Sequence, residues 1–379
     1  MLRKTTLLLL TGGWGDSSVE QALAGAHRAA ARDLLESLLA VDLIDRAIVA
    51  TDDPSWGHTL ADLPVTLDVD PPGERFHFGQ RLVGLIERYG VDRALYTGGG
   101  SAPLLRAERW REILDGLGRA EQVVITNNVH SCDWAGFAPA REAASLIADQ
   151  TNDNAIAWAL INEGGFPFQT MGASAGSRFD IDTPVDLLIA ERHPGIGSHL
   201  HHYLNDLGWT SAPLDEVLNE MRREGGSLLV AGRASPTAWQ VLQRATRCWV
   251  RVFAEERGMR ASGRQRRGEV RSLLSDYLEL VGVEGFFAAL GELANGVLLD
   301  NRVILASRGL WPSALDRFNS DLYRWQKVED PFLRRLTRAA SEAAVPVVMG
   351  GHTVAAGGLM ALAETVCPGI ILSQEGGER

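Results

Sequence analysis

Apolar and polar positions along the first half of the chain alternate between two periods. Short runs of aliphatic or β-branched residues at 5–11 (TTLLLLT), 46–51 (RAIVAT), 93–97 (RALYT) and 122–126 (QVVIT) predict buried strands. Between them, 19–40, 79–89 and 103–117 place apolar residues three and four apart, as helices with one buried face do. Strands alternating with helices predict an α/β domain: a mainly parallel twisted sheet with helices on both faces. In such sheets ligands bind beyond the carboxyl ends of the strands. Small or polar runs follow each predicted strand end: TGGWGDSS, TDDPSWG, TGGGSAP and TNNVHSCD.

The second half repeats the alternation. SLLVAG (227–232), CWVRVFA (248–254), GVLLDNRVILA and VPVVMGG read as strands, and 236–246, 269–281, 284–294, 330–343 and 354–366 as helices. At 379 residues the chain is long for one core. Net charge is −11, and its placement marks a boundary: residues 1–190 hold 26 acidic and 15 basic side chains, whereas 191–379 hold 22 of each. The reading is two domains, 1–192 and 193–379, the second an α/β domain with an Arg-rich segment at 251–271.

An acidic first half argues against nucleic acid and against an anionic membrane as partners. No apolar run of eighteen residues occurs, and the opening TTLLLLTGG reads as a buried strand, so a cytoplasmic location is expected. Cys132, Cys248 and Cys367 lack metal or disulfide spacing and read as free thiols.

The segment DIDTPVDLL at 180–188 has definite local physics. Thr183, Pro184 and Asp186 form a helix start as N-cap, N1 and N3. Asp180 and Asp182 precede it in extended chain, two apart, which puts both carboxylates on one face. Adjacent carboxylates call for a cation: either a divalent metal with hard oxygen ligands, or Arg178. TDDP at 51–54 reads as an Asx turn, TNNVHSCD as a turn carrying Asn127, Asn128, His130 and Asp133, and His199, His201 and His202 as a solvated helix face. In the Arg-rich segment, anion binding and pairing with the acidic first domain are equally open, beside a solvated loop paired with Glu255, Glu256 and Glu269. MGGHTVAAGG adds His352 at a strand end, and ASRGLWPS adds Arg308, so the second domain is expected to hold a pocket of its own.

LTGGWG, ATDDP, YTGGGSAPLL and DIDTPVDL together resemble the GT-A-like nucleotidyltransferases. That group includes molybdenum-cofactor guanylyltransferases, sugar-phosphate nucleotidyltransferases and 2-phospho-L-lactate guanylyltransferases, and the resemblance covers about half the chain. It implies a GT-A-like, Rossmann-related fold and an enzyme taking an NTP and a small phosphorylated acceptor, with Mg²⁺ or Mn²⁺ as cofactor. Asp180 and Asp182 would hold the metal beside Arg178, while Gly12, Gly13, Gly98, Gly99, Ser101 and Asp52 would contact the nucleotide. The sequence departs from the family at two places. Ser101 stands where the family has a metal-binding aspartate, and the first loop has no basic residue before Arg28. Asp16, Asp52 or Asp53 are substitutes for the carboxylate, and Arg28, Arg75 or Arg178 for the charge. The alternatives to transfer of a nucleotidyl group are a nucleotide-binding or regulatory protein without turnover and a GT-A-type glycosyltransferase.

Overall fold

The computed structural model describes residues 3–71, 73, 75–260 and 262–368. Its contacts divide the chain into two units. The first runs from the N-terminus to Trp14 and adds Ala24–Gly172 and Gly197–Leu200; the second comprises Gly15–Leu23, Ala173–Ile196 and the chain from His201 on. This division differs from a break at 192/193, because the segment around DIDTPVDLL packs with the later part of the chain. The backbone oxygen of Arg178 lies 1.9 Å from where a Cβ on Gly357 would stand, and Val185 Cγ1 lies 2.5 Å from that of Gly350.

In the first unit a seven-stranded sheet has the order β3-β2-β1-β4-β6-β5-β7. Its strands are β1 (Thr5–Thr11), β2 (Ile44–Thr51), β3 (Val65–Val69), β4 (Ala94–Gly98), β5 (Val123–Thr126), β6 (Trp134–Ala138) and β7 (Phe168–Thr170). All pair in parallel except β6, which is antiparallel to β4 and β5. Alternation along β1 sorts the two cores. Leu7 and Leu9 pack with Leu35 and Leu38 of helix Ser18–Leu39 and with Trp110, Ile113, Leu114 and Leu117 of helix Ala107–Arg119. Leu8 and Leu10 pack on the other face with Leu82, Leu85 and Ile86 of helix Phe78–Tyr89. Helices therefore cover both faces, as the buried, continuous apolar strands require.

The helix expected from Pro103 begins at Ala107 instead. Ala102 sits at φ 49° and Leu105 N–H donates to its carbonyl, so the chain completes a turn before the helix starts. β3, β6 and β7 have no counterpart among the predicted strands; they are only five, five and three residues long.

The second unit holds a four-stranded parallel sheet in the order β11-β10-β8-β9, formed by β8 (Ser227–Gly232), β9 (Trp249–Ala254), β10 (Gly296–Asp300) and β11 (Val347–Gly350). Leu229, Leu299, Val347 and Met349 pack one face against Phe286, Phe287, Leu290, Leu333 and Leu336. β9 is an edge, with Trp249 77% and Phe253 41% exposed. GVLLDNRVILA is not one strand: it ends at Asp300, whose carboxylate accepts Arg302 N–H, and Arg302–Ser307 is helical. The two helices read at 269–281 and 284–294 occupy Leu273–Leu293, broken at Gly282, where φ 76° is open to glycine. No helix among the described residues is long and apolar enough to cross a membrane.

Candidate functional site

In the first unit the chain runs from β1 to β2 on one side and later to β4 on the other, so the strand order reverses beside β1. A cleft of about 840 Å³ opens at this carboxyl edge, within the usual size of a small-molecule site. Its lining includes Gly12 and Gly13 after β1, Asp52 after β2, Asp68 and Asp70 of β3 and its end, Arg75, Phe76 and Arg81.

Gly12 and Gly13 adopt φ 151° and 77°, a path only glycine takes without strain. A Cβ on Gly12 would stand 2.5 Å from the Asp52 carboxylate, which accepts the Gly13 N–H at 2.8 Å. Asp52 thus buttresses the glycine turn from the neighbouring strand end. Asp53 does different work: it accepts from Ser55 and Trp56 N–H groups as the cap of helix Pro54–His58 and ion-pairs with Arg28 at 2.7 Å. TDDP is therefore a capping turn, and Arg28 is committed to Asp53.

One wall of the cleft is a charged lattice. Arg81 reaches Asp70 at 2.7 Å and Asp68 at 2.9 Å, while Arg88 and the Tyr89 hydroxyl reach the second Asp68 oxygen at 2.6 and 2.8 Å. Burial opposes ionisation of Asp68, but the Tyr89 hydroxyl and the two guanidiniums outweigh it and hold its carboxyl below the ordinary value. At the rim Arg75 is exposed and Phe76 is 57% exposed, an aromatic face and a cation turned to solvent beside the opening. Sequence reasoning missed this lattice. The signal for it was available: Asp68 and Asp70 alternate at a strand end, and Arg81 and Arg88 lie seven apart on one helical face.

Gly98, Gly99 and Ser101 lie outside this lining. None of the three glycines at 98–100 has positive φ; close packing requires them. Cβ atoms on Gly99 and Gly100 would stand 2.7 Å from Thr11 Oγ1 and 2.5 Å from the His27 ring. Ser101 Oγ donates to the Asp133 carbonyl at 3.0 Å, tying the end of β4 to the start of β6. The Asn127 and Asp133 side chains bond each other, and Asn128 accepts His130 N–H, so TNNVHSCD is a turn between β5 and β6. His199 contacts Glu36 at 3.0 Å, and Asp33 accepts the His199 and Leu200 N–H groups.

Asp180, Asp182 and Arg178 belong to the second unit. Ile181 is buried while Asp182 is exposed and Asp180 half-buried, the alternation expected of extended chain with both carboxylates on one face. Asp186 accepts the Asp182 and Thr183 N–H groups and the Thr183 hydroxyl, closing the expected cap. Burial, then the charge of Asp182, pushes its carboxyl up to about 8. Among the described residues no three His, Cys, Asp or Glu side chains converge as a metal-binding group.

No protein-family model matches the chain, and no curated protein does. Among solved structures, a cytidylyltransferase from Leptospira borgpetersenii serovar Hardjo-bovis aligns at 16% identity over 54% of this chain and 94% of its own, with TM-score 0.39. A nucleotidyl transferase from Methanothermobacter thermautotroptrophicus aligns at 16% over 53% and 98%, with TM-score 0.37. 4-Diphosphocytidyl-2C-methyl-D-erythritol synthase from Anaerococcus prevotii aligns at 10% over 54% and 96%, with TM-score 0.35. Likenesses this distant assign no activity to the chain.

Proposed function

We propose that the protein is a nucleotidyltransferase-like enzyme that binds an NTP in the first unit's cleft. The observation that carries this reading is the glycine turn Gly12–Gly13, held open by Asp52 at the strand-order reversal and facing a cleft walled by Arg81 and rimmed by Arg75 and Phe76. Backbone without Cβ atoms suits close approach of a nucleotide, a rim aromatic suits a base, and the exposed Arg75 guanidinium suits a phosphate, Arg81 being held by Asp68 and Asp70. In the reaction an oxygen of a phosphorylated acceptor attacks the α-phosphate, the bond to the β-phosphate's bridging oxygen breaks, and pyrophosphate leaves. The acceptor keeps the nucleotidyl group as an NDP-linked product.

Mg²⁺ or Mn²⁺ is proposed as the cofactor, a hard cation suited to oxygen ligands. Asp180 and Asp182 are proposed as the carboxylates that would hold it. A metal supplies charge for the developing anion.

A second reading, nucleotide binding without turnover, is favoured by two observations: Ser101 is engaged with the Asp133 carbonyl, and Arg28 is paired with Asp53. One experiment separates them. Thermal melts of the whole chain with ATP, GTP, CTP or UTP, each with Mg²⁺, Mn²⁺ or EDTA, should show stabilisation by one nucleotide; at one hundred times the dissociation constant the effect is about 2.7 kcal/mol. Pyrophosphate release during an acceptor screen then identifies the enzyme, and its loss in Asp182→Asn with the melt unchanged identifies the metal carboxylate. Binding without release supports the second reading, and no stabilisation by any nucleotide overturns both.

A further inference from the structure

The four-stranded sheet of the second unit overhangs the helix that covers it. In the β8–β9 register Trp249, Arg251 and Phe253 stand beside Ser227, Leu229 and Ala231, so these three side chains share the face on which Leu229 and Ala231 pack with Phe286, Phe287 and Leu290. Over the inner strands that face is core. On β9 it is open, and Trp249, Arg251 and Phe253 are all exposed. β9 is thus a shelf of two aromatics with a guanidinium between them.

Helix Leu273–Leu293 borders the shelf. Glu255, the residue after β9, accepts the Ser272 hydroxyl at 3.0 Å and the Leu274 N–H at 3.1 Å, so the end of the strand is tied to the start of the helix. Before its break at Gly282 the helix carries two apolar stripes. Leu274 and Leu278 are buried in the unit's own core. Leu273, Tyr277, Leu280 and Val281, spaced by four, three and one, form the second stripe, with Leu273 81% and Leu280 82% exposed. The Tyr277 ring lies 6.4 Å from that of Phe286, which anchors this ridge to the core beneath.

The aromatic and aliphatic residues of shelf and ridge together expose about 700 Å², whereas the largest patch on a typical monomer is about 300–600 Å². A stable pair of proteins covers about 800 Å² on each partner. The face therefore has nearly the area of one half of a dimer interface before its polar rim is added.

Its charges match a second copy of itself. Arg251 stands in the shelf and Asp276 borders the ridge; both are exposed, and among the described residues neither has an ion pair. Glu279, the other acid on this stretch of helix, is taken by Arg308 at 2.8 Å. Across a two-fold axis every contact of residue i with residue j is repeated as j with i. A guanidinium on the strand and a carboxylate on the helix, each without a partner in its own chain, are thus both satisfied at once when two copies face each other.

We propose that this face joins two copies of the chain: the ridge of each lies on the shelf of the other, and Arg251 of one protomer pairs with Asp276 of the partner subunit, at both ends of a two-fold interface. Trp249, Tyr277 and Arg251 are of the residue types that carry most of the energy in such interfaces. The contact uses the side-chain face of β9 and not its edge hydrogen bonds, so it closes as a dimer instead of extending as a sheet. It lies wholly in the second unit and does not depend on what the first unit binds.

The test is sedimentation equilibrium of the full chain over a wide concentration range, where a monomer–dimer equilibrium is expected. Leu280→Asp and Trp249→Ser, both at exposed side chains, should each raise the dimer dissociation constant about tenfold or more, with circular dichroism unchanged. Trp158→Ser, at an exposed tryptophan of the first unit, should leave it unchanged. Arg251→Glu or Asp276→Arg alone should weaken the dimer severalfold, and the two combined in one chain should restore it, a result that loss of fold in a variant does not produce. Failure of the pair to restore it overturns the stated arrangement. A chain that stays monomeric at every concentration overturns the proposal and leaves the face to a different protein. So does a dimer indifferent to Leu280→Asp and Trp249→Ser, since the copies would then meet elsewhere, and so does a mass that climbs past two chains, which marks an open head-to-tail contact.

Discussion

The two sheets end differently at the same topological point. Beyond β1 and β2 the first unit presents backbone and a single buttressing carboxylate: Gly12, Gly13 and Asp52 leave room, and the charged lattice around Asp68 stands back as a wall. Beyond β8 and β10 the second unit presents a closed ion pair, Arg233 on Asp300. One edge is built as a space and the other as a fixed charge distribution. A parallel sheet dictates where a ligand is received; the residues at the strand ends decide whether it meets amides or side chains.

The largest expected effect breaks the second edge. Asp300→Ala leaves the half-buried Arg233 without its counter-charge and removes the acceptor of two backbone N–H groups, so a loss of about 3 kcal/mol is expected in denaturant unfolding. If the loss is under 1 kcal/mol, the contrast between a fixed and an open edge fails. Next in size, Gly12→Ala sets a Cβ against Asp52 at a φ that side chains rarely adopt. A loss of about 1–3 kcal/mol is expected, together with loss of any nucleotide-induced stabilisation. Gly99→Ala, whose Cβ would meet Thr11 but which is outside the cleft lining, should cost similar stability and leave nucleotide binding in place.

A smaller effect contrasts the two units by pH. Asp186, raised to about 8, favours the folded state fully below pH about 4 and loses that contribution as pH climbs toward 8, because the unfolded chain ionises first. Asp68, lowered, contributes above its ordinary carboxylate pKa and loses its contribution as pH falls through the depressed value. Melts from pH 3 to 8 should therefore respond oppositely: Asp186→Asn flattens the decline on the alkaline side, and Asp68→Asn flattens the acid side. The smallest change is expected for Arg335→Gln. Its 2.6 Å pair with Glu284 is more than half exposed on both sides, and no shift in melting temperature should be measurable.

The architecture was legible where apolar runs were long. β1, β2 and β8 announce themselves, and so do the faces of helices Phe78–Tyr89 and Ala107–Arg119, because one buried stripe fixes the period. β6, WAGFA, interleaves small residues with aromatic ones around Gly136, and β7 is three exposed residues, so neither shows one. Within the site, Gly12, Gly13 and Asp52 were readable from their place after strands. The reason for three glycines at 98–100 was not, since it lies in Thr11 and His27, far off in sequence. The same holds for the unit to which Asp180 and Asp182 belong, which is set by packing against Gly350 and Gly357.

β9 has a consequence of another kind. It pairs only with β8 among the described strands, so one side of its backbone is a template on which a foreign strand can grow, and Trp249 and Phe253 make that side adhesive. Arg251, exposed between the two aromatics, puts a charge where an added strand would have to bury it. An exposed charge at an unpaired edge disfavours such strand addition.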